Sequence, residues 1–322
     1  MNTKREQRGK DILEKIFGKY GIYVALILMV VVLAIITPSF FNTQNFINVL
    51  RQISIKAVMA IGVTIVIMTG GIDLSVGSVL ALSAVIATSF ATSDNPHPLA
   101  ISLLLGILVG LACGAVNGLC VAWLKVAAFI ATLAMTTAAR GLAMIYTNGR
   151  PVINILPEYT NIGNGFVGAI PIPIIVMAVV IVIAVYLMEF TKYGRYIRAV
   201  GGNEQAALVS GINVRLIKFS AYAIAGVTCA IAGILLSART MTGQPASGEG
   251  YELDAIAAAV IGGASLSGGV GTISGTVVGM LILGVLTNGL DMLGVSSYYQ
   301  QVIKGVIIVA AVLLDRKKHS NE

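Results

Sequence analysis

Charge is scarce in this sequence: Asp, Glu, Lys and Arg make up 11% of its 322 residues, against about a quarter in an ordinary soluble domain. Histidine is scarcer, with His97 and His319 alone, both outside the apolar stretches. That excludes a His-based catalytic triad or a two-His metal site at membrane depth. The three cysteines, Cys113, Cys120 and Cys229, fall singly in apolar stretches and read as small packing residues, with no disulfide or metal spacing. The single tryptophan, Trp123, stands near Lys125 at the end of an apolar block. It reads as an interfacial anchor and offers no stacking platform for a sugar. No G-x-x-x-x-G-K-[ST] occurs, so the chain has no P-loop, and ATP-driven work needs a separate subunit. The expectation is that this chain binds no cofactor and no metal and catalyses nothing itself.

What is abundant is apolar surface. The sequence is 57% hydrophobic with a mean hydropathy of +0.91. Its apolar residues fall in blocks of about twenty, the length of helix that crosses a hydrocarbon layer, and stretches such as 22–36 lack the alternation of a membrane β-barrel strand. The fold class is therefore an all-α polytopic membrane protein. Ten spans are predicted, at 21–37, 55–70, 74–92, 98–123, 127–147, 170–189, 217–238, 252–267, 272–290 and 298–314. The second and eighth are short and run into glycine, so either could be broken or re-entrant.

The formal charge of +7 reads as topology, and nucleic-acid binding is not expected. Fourteen of the 21 Lys and Arg lie in residues 1–20, 189–218 and 315–322. Ten spans put all three segments on the cytoplasmic side, whereas losing both short spans would put 189–218 outside. The chain is thus one transmembrane domain over 1–322, with cytoplasmic tails at 1–20 and 315–322 and a cytoplasmic loop at 190–216. The long excursion 148–169 reads as a surface loop. The first apolar block is read as a retained span, since no small-residue cleavage site follows it.

Ionisable groups at membrane depth cost about 2.5–3.5 kcal/mol each on insertion scales and so become functional candidates. Asp73, Arg140, Glu252, Asp254 and Lys304 qualify. Asp73 either caps a helix N-terminus or lies on a solute path. Arg140 is expected to face the bundle interior, ion-paired with Asp73 or Glu252 or placed on the path. Gly70-Gly71-Ile72-Asp73-Leu74-Ser75-Val76-Gly77 matches Gly262-Gly263-Ala264-Ser265-Leu266-Ser267-Gly268-Gly269 at five of eight positions, with a weaker echo of Asn117-Gly118-Leu119 in Asn288-Gly289-Leu290. Either small residues recur by chance here, or two related helix breaks flank a path. The path and gate candidates are Gly70, Gly71, Asp73, Ser75, Asn117, Arg140, Glu252, Asp254, Gly262, Gly263 and Ser267. Neutral groups such as Thr132 and Thr136 suit a hydroxyl-rich solute or serve as helix-packing contacts.

In the basic loop, Asn203 can cap a short helix from Glu204 to Ser210, with Gly211 ending it in a left-handed conformation. Such a helix either docks another protein or is an ordinary connection over lipid head groups.

Glu204, Ala206, Ala207 and Gly211 resemble the EAA-like coupling segment of ABC importer permeases, although no Leu-Pro follows Ile212. The stretches 69–78, 128–133, 140–141, 146–149, 250–257 and 294–300 resemble the branched-chain amino acid and monosaccharide permease family, and the similarity runs from about 38 to 316. The resemblance implies import of a monosaccharide, with ribose the expected cargo, by alternating access in a bacterial cytoplasmic membrane. It implies a second copy of the chain, an extracytoplasmic sugar-binding protein and an ABC ATPase that uses the ATP and Mg. It places the ATPase on the loop bearing Arg195, Arg198, Asn203, Glu204, Ala206, Ala207 and Gly211. The alternatives are an ion-coupled secondary transporter using Asp73, Glu252 or Asp254, and an intramembrane enzyme, for which no nucleophile–base pair is found.

Overall fold

The computed structural model describes residues 21–319; the expected tail 1–20 and the last residues 320–322 lie outside it. The described helices are α1 (Gly21–Ile36), α2 (Thr43–Met68), α3 (Val76–Ser89), α4 (Leu99–Ala122), α5 (Ala128–Thr147), α6 (Pro157–Asn164) and α7 (Ile172–Val185). They continue as α8 (Lys192–Gly202), α9 (Glu204–Val209), α10 (Val214–Thr240), α11 (Tyr251–Ile261), α12 (Ile273–Met292) and α13 (Ser297–His319). Two antiparallel hairpins of two-residue strands, β1 (Ala91–Thr92) with β2 (Asn95–Pro96) and β3 (Phe166–Val167) with β4 (Ile170–Pro171), decorate one end.

Each of the ten apolar blocks contains one helix. Among the described residues, six helices are long and apolar enough to cross a membrane: α2, α4, α5, α7 with its π-helical extension to Phe190, α10 and α12. The bundle is centred on α10, which packs against α2, α3 and α4. Glycine sets the spacing. A Cβ at Gly110 or Gly114 of α4 would overlap the main chain of α10, and one at Gly226 of α10 would overlap Gly110. In lipid there is no hydrophobic drive between apolar helices, so close backbone approach and dispersion do the packing. Large apolar side chains such as Leu104, Leu108, Ile130 and Val182 face outward.

The structure corrects several boundaries. The second span begins at Thr43 instead of 55, making α2 a full-length helix of 26 residues, so most of the stretch left between the first two predicted spans is helical. Hydropathy misses this half because it holds Gln44, Asn45, Arg51 and Gln52. Two of those side chains are partnered, Asn45 with Asn288 and Arg51 with the Asn164 carbonyl, and Asn42 caps the helix by accepting from Gln44 N (2.9 Å). The third span is helical only from Val76, the eighth only as the 11 residues of α11, and the 148–169 excursion contains α6. The loop 190–216 is two helices plus the start of α10, and α13 continues into the expected tail as far as His319.

Candidate functional site

The first break is the extended segment between α2 and α3. Irregular backbone at membrane depth must find its hydrogen bonds within the protein, and here it does. The Leu74 carbonyl accepts from Thr136 Oγ1 (2.9 Å), and the Ile72 carbonyl accepts from Tyr222 Oη (3.3 Å) and Thr132 Oγ1 (3.4 Å). The Asp73 carboxylate, 2% exposed, accepts from the amide (2.9 Å) and hydroxyl (2.6 Å) of Ser75. Asn117 Nδ2 of α4 donates in turn to Ser75 Oγ (2.9 Å). Asp73 therefore folds the chain into an Asx turn just ahead of α3, and Ser75, not Asp73, is the N-cap residue. The echo at Asn288 is not equivalent, because Asn288 pairs with Asn45 near the other end of the bundle.

The second irregular region dips into the bundle after α10 and starts α11 in its interior. Arg140 Nη1 donates to the carbonyls of Pro245 (2.5 Å) and Ser247 (2.8 Å), so it holds the dip by carbonyls and forms an ion pair with neither Asp73 nor Glu252. The two half-length helices meet at their N-termini: a Cβ on Gly77 of α3 would overlap the Gly248 carbonyl and approach Glu252 Oε2 to 2.7 Å. From there α3 runs toward the hairpin end and α11 toward the α8 end, as half-helices of transporters do around a binding site.

Beside this junction lies a charge cluster that the sequence reading only half found. Asp254 Oδ2 accepts from Lys56 Nζ at 2.6 Å, and its other oxygen lies 3.2 Å from Lys304 Nζ. The Lys56 ammonium also sits 4.4 Å from the centre of the Tyr251 ring. Lys56 is near the middle of α2, roughly 20 Å from either end at 1.5 Å per residue; a span drawn from residue 55 put it at an edge and hid it. An open cleft of about 740 Å³ is lined by Lys56, Glu249, Tyr251, Glu252, Asp254, Gln301 and Lys304. It offers acceptors, donors and one ring to a polar solute.

At the α8 end, three stretches of glycine meet main chain to main chain. Gly269 N donates to the Met68 carbonyl (3.0 Å), and a Cβ at Gly201 of α8 would overlap that same carbonyl. A Cβ at Gly268 would come within 2.8 Å of Gly70 N and 2.7 Å of Gly201 O. The two segments matched in the sequence are thus neighbours in space, and α8 touches both. The expected helix is present as α9: Asn203 Oδ1 accepts from Ala206 N (2.9 Å), and Gly211 follows at φ +80°. Ala207 is buried beneath it, while Glu204 is tied to Lys218 at 2.6 Å. Sequence reasoning missed α8, whose N-cap is Thr191 through Tyr193 N (3.1 Å). Arg198 binds Glu189 and the Met188 carbonyl, Arg195 is exposed, and burial pushes the Tyr193 hydroxyl, bonded to Ser220, up to about 12. Among the other candidates, Gly71 packs under Tyr222 Oη, Gly262 against Gly275, and Gly263 takes φ +89°; Ser267 N bonds Ser265 Oγ (3.3 Å).

Comparison with known proteins decides what this architecture belongs to. The model of the branched-chain amino acid transport system permease component matches residues 45–312. This chain is a member of that permease family. It is 46% identical to the ribose import permease protein RbsC of Haemophilus influenzae, over 97% of this chain and 96% of that one. It is 48% identical to RbsC of Bacillus subtilis over 94% of each. With the D-allose transport system permease protein AlsC of Escherichia coli the identity is 36%, over 93% of this chain and 92% of the other. No solved structure matches. The permease is a multi-pass membrane subunit and not an enzyme.

Proposed function

We propose that this permease is the membrane-spanning subunit of an ATP-driven importer of ribose in a bacterial cytoplasmic membrane. The observation that carries the sugar is the step in identity, 46–48% to two ribose import permeases against 36% to the allose permease, over nearly the whole chain in each case. Its partners are an ABC ATPase, which uses the ATP and Mg while this chain binds no cofactor, and an extracytoplasmic binding protein that delivers the sugar. The α8 end faces the cytoplasm, in keeping with Lys192, Arg195, Arg198, Arg215 and Lys218 there, and the ATPase docks on α8 and α9.

Two copies pair with their clefts facing. What supports this is the placement of Lys56, Asp254 and Lys304 in a cleft open at its side. Charged groups at membrane depth cost about 2.5–3.5 kcal/mol against lipid, and a second copy encloses them as the walls of a polar path. Closure of the ATPase displaces α9 and α8, and α8 passes the motion to both breaks through the glycine junction. The half-helices α3 and α11 then shift, opening the path to one side at a time.

Uptake of labelled ribose into proteoliposomes holding the permease, its ATPase and its binding protein tests the reading. ATP-dependent uptake is expected, with allose a weak competitor. Hydrolysis stimulated by the loaded binding protein without ribose entry would leave the importer and change the sugar; uptake driven by an ion gradient without ATP would replace the class.

A further inference from the structure

Beneath α9, where Gly70 and Gly71 open the first break, lies a second cavity, of about 540 Å³, bounded also by the α4–α5 turn and the base of α10. Three cations line it, Lys125, Arg215 and Lys218, with one acid, Glu204. Lys218 and Glu204 neutralise each other at 2.6 Å. Lys125 and Arg215 are exposed, and neither takes part in an ion pair among the described residues.

Their positions run against helix electrostatics. The positive end of a helix dipole favours carboxylates and disfavours cations, yet Arg215 is the second residue of α10, and Lys125 stands just ahead of α5. Neither helix has an acid in its first turn, and the residue before α5, Ala127, provides no side-chain cap. Val126, Ala127 and Ala128 line the same cavity, so the N-terminal end of the α5 dipole adds to its positive potential. Lys125 is held at φ 55°, a left-handed conformation that costs a non-glycine residue roughly 1 kcal/mol or more. Two unpaired cations and the starts of two long helices converge on one space, with the C-terminal ends of α2 and α4 on its other walls.

We propose that this cavity is a phosphate site, taking either the phosphodiester of an acidic lipid headgroup or a free phosphomonoester between Lys125 and Arg215. The bound phosphate touches Gly70-Gly71 on one side and Glu204-Gln205 of α9 on the other, so its occupancy is linked to the position of α9 relative to the first break. The inference stands apart from the cargo, and its test needs no transport.

The purified permease is examined by native mass spectrometry after incubation with phosphatidylglycerol, with phosphatidylcholine, or with glycerol 3-phosphate in phosphatidylcholine. Fluorescence of Trp123, the chain's one tryptophan and two residues from Lys125, gives a second reading. Retention of phosphatidylglycerol over phosphatidylcholine identifies the headgroup as occupant; saturable retention of glycerol 3-phosphate identifies the free ester. In either case Lys125→Ala and Arg215→Ala each weaken binding about five-fold, the worth of one cation near a charged surface, and Arg215→Lys restores it. Lys192→Ala, which removes an exposed cation of α8 outside the cavity, leaves binding unchanged. Equal retention of all three probes, or equal weakening by Lys192→Ala, overturns the proposal.

Discussion

Lys56 of α2 and Asp254 of α11, 198 residues apart in sequence, form an ion pair of 2.6 Å near the middle of α2. Lys304 shares the same carboxylate. Asp254→Asn leaves two ammonium groups in a partly buried site without their counter-ion, and breaking a buried pair from one side costs about 3 kcal/mol. A lowered thermal midpoint in detergent is expected, with Asp254→Asn plus Lys56→Met recovering much of the loss. Equal stability of the single variant and the parent would show that the pair holds nothing together.

Thr136 and Thr137 provide a matched comparison. Thr136 Oγ1 supplies the Leu74 carbonyl of the first break, whereas Thr137 Oγ1 bonds only within its own helix, to Leu133. Thr136→Val strands a carbonyl and should destabilise by about 1–3 kcal/mol; Thr137→Val should be close to neutral. Chemical denaturation of the two variants side by side reads the difference, and equal effects would contradict the role given to Thr136.

Asn203→Ala removes the cap of α9, worth about 1 kcal/mol. Hydrogen exchange should quicken over Glu204–Val209 while α10 stays protected, and affinity for the ATPase should fall. Unchanged exchange in α9 together with weaker ATPase binding would make Asn203 a direct contact instead of a cap.

The proposed pairing of two copies would make Gln301, which lines the open cleft, a contact between them. Gln301→Cys in a chain whose three native cysteines are replaced should cross-link to a dimer in membranes under mild oxidant, while Leu104→Cys, on the outward face of α4, should not. Cross-linking only at Leu104 would place the partner elsewhere.

Much of this organisation was legible in the sequence, and the failures have physical causes. The cap-to-glycine frame of Asn203 and Gly211 marked α9 because both signals are local. The matched glycine segments marked the breaks because glycine takes a positive φ such as that of Gly70 or Gly268 without the steric cost a side chain brings. The first half of α2 was hidden because Asn45 and Arg51 find partners on α12 and at the end of α6, contacts that hydropathy does not register. Lys56 was hidden with it. Arg140 was expected to pair with an acid, but its partners are carbonyls, and no residue type in the sequence announces a backbone acceptor. α8 was missed because its Gly194, Gly201 and Gly202 argue against helix, while the structure uses Gly194 and Gly201 for close approach to Met188 and Met68.

The account rests on the junction where Gly201 of α8 meets Met68 and Gly269. The most direct measurement takes ATP hydrolysis and ribose uptake together in proteoliposomes carrying Gly201→Ala, whose added methyl would overlap the Met68 carbonyl. Overpacking of this kind costs about 1–3 kcal/mol. The account predicts an assembled complex that still hydrolyses ATP but whose uptake falls at least about ten-fold, the rate equivalent of 1.4 kcal/mol. Uptake that stays in step with hydrolysis at the parent's ratio would contradict it, because the ATPase would then be moving the path by some other contact.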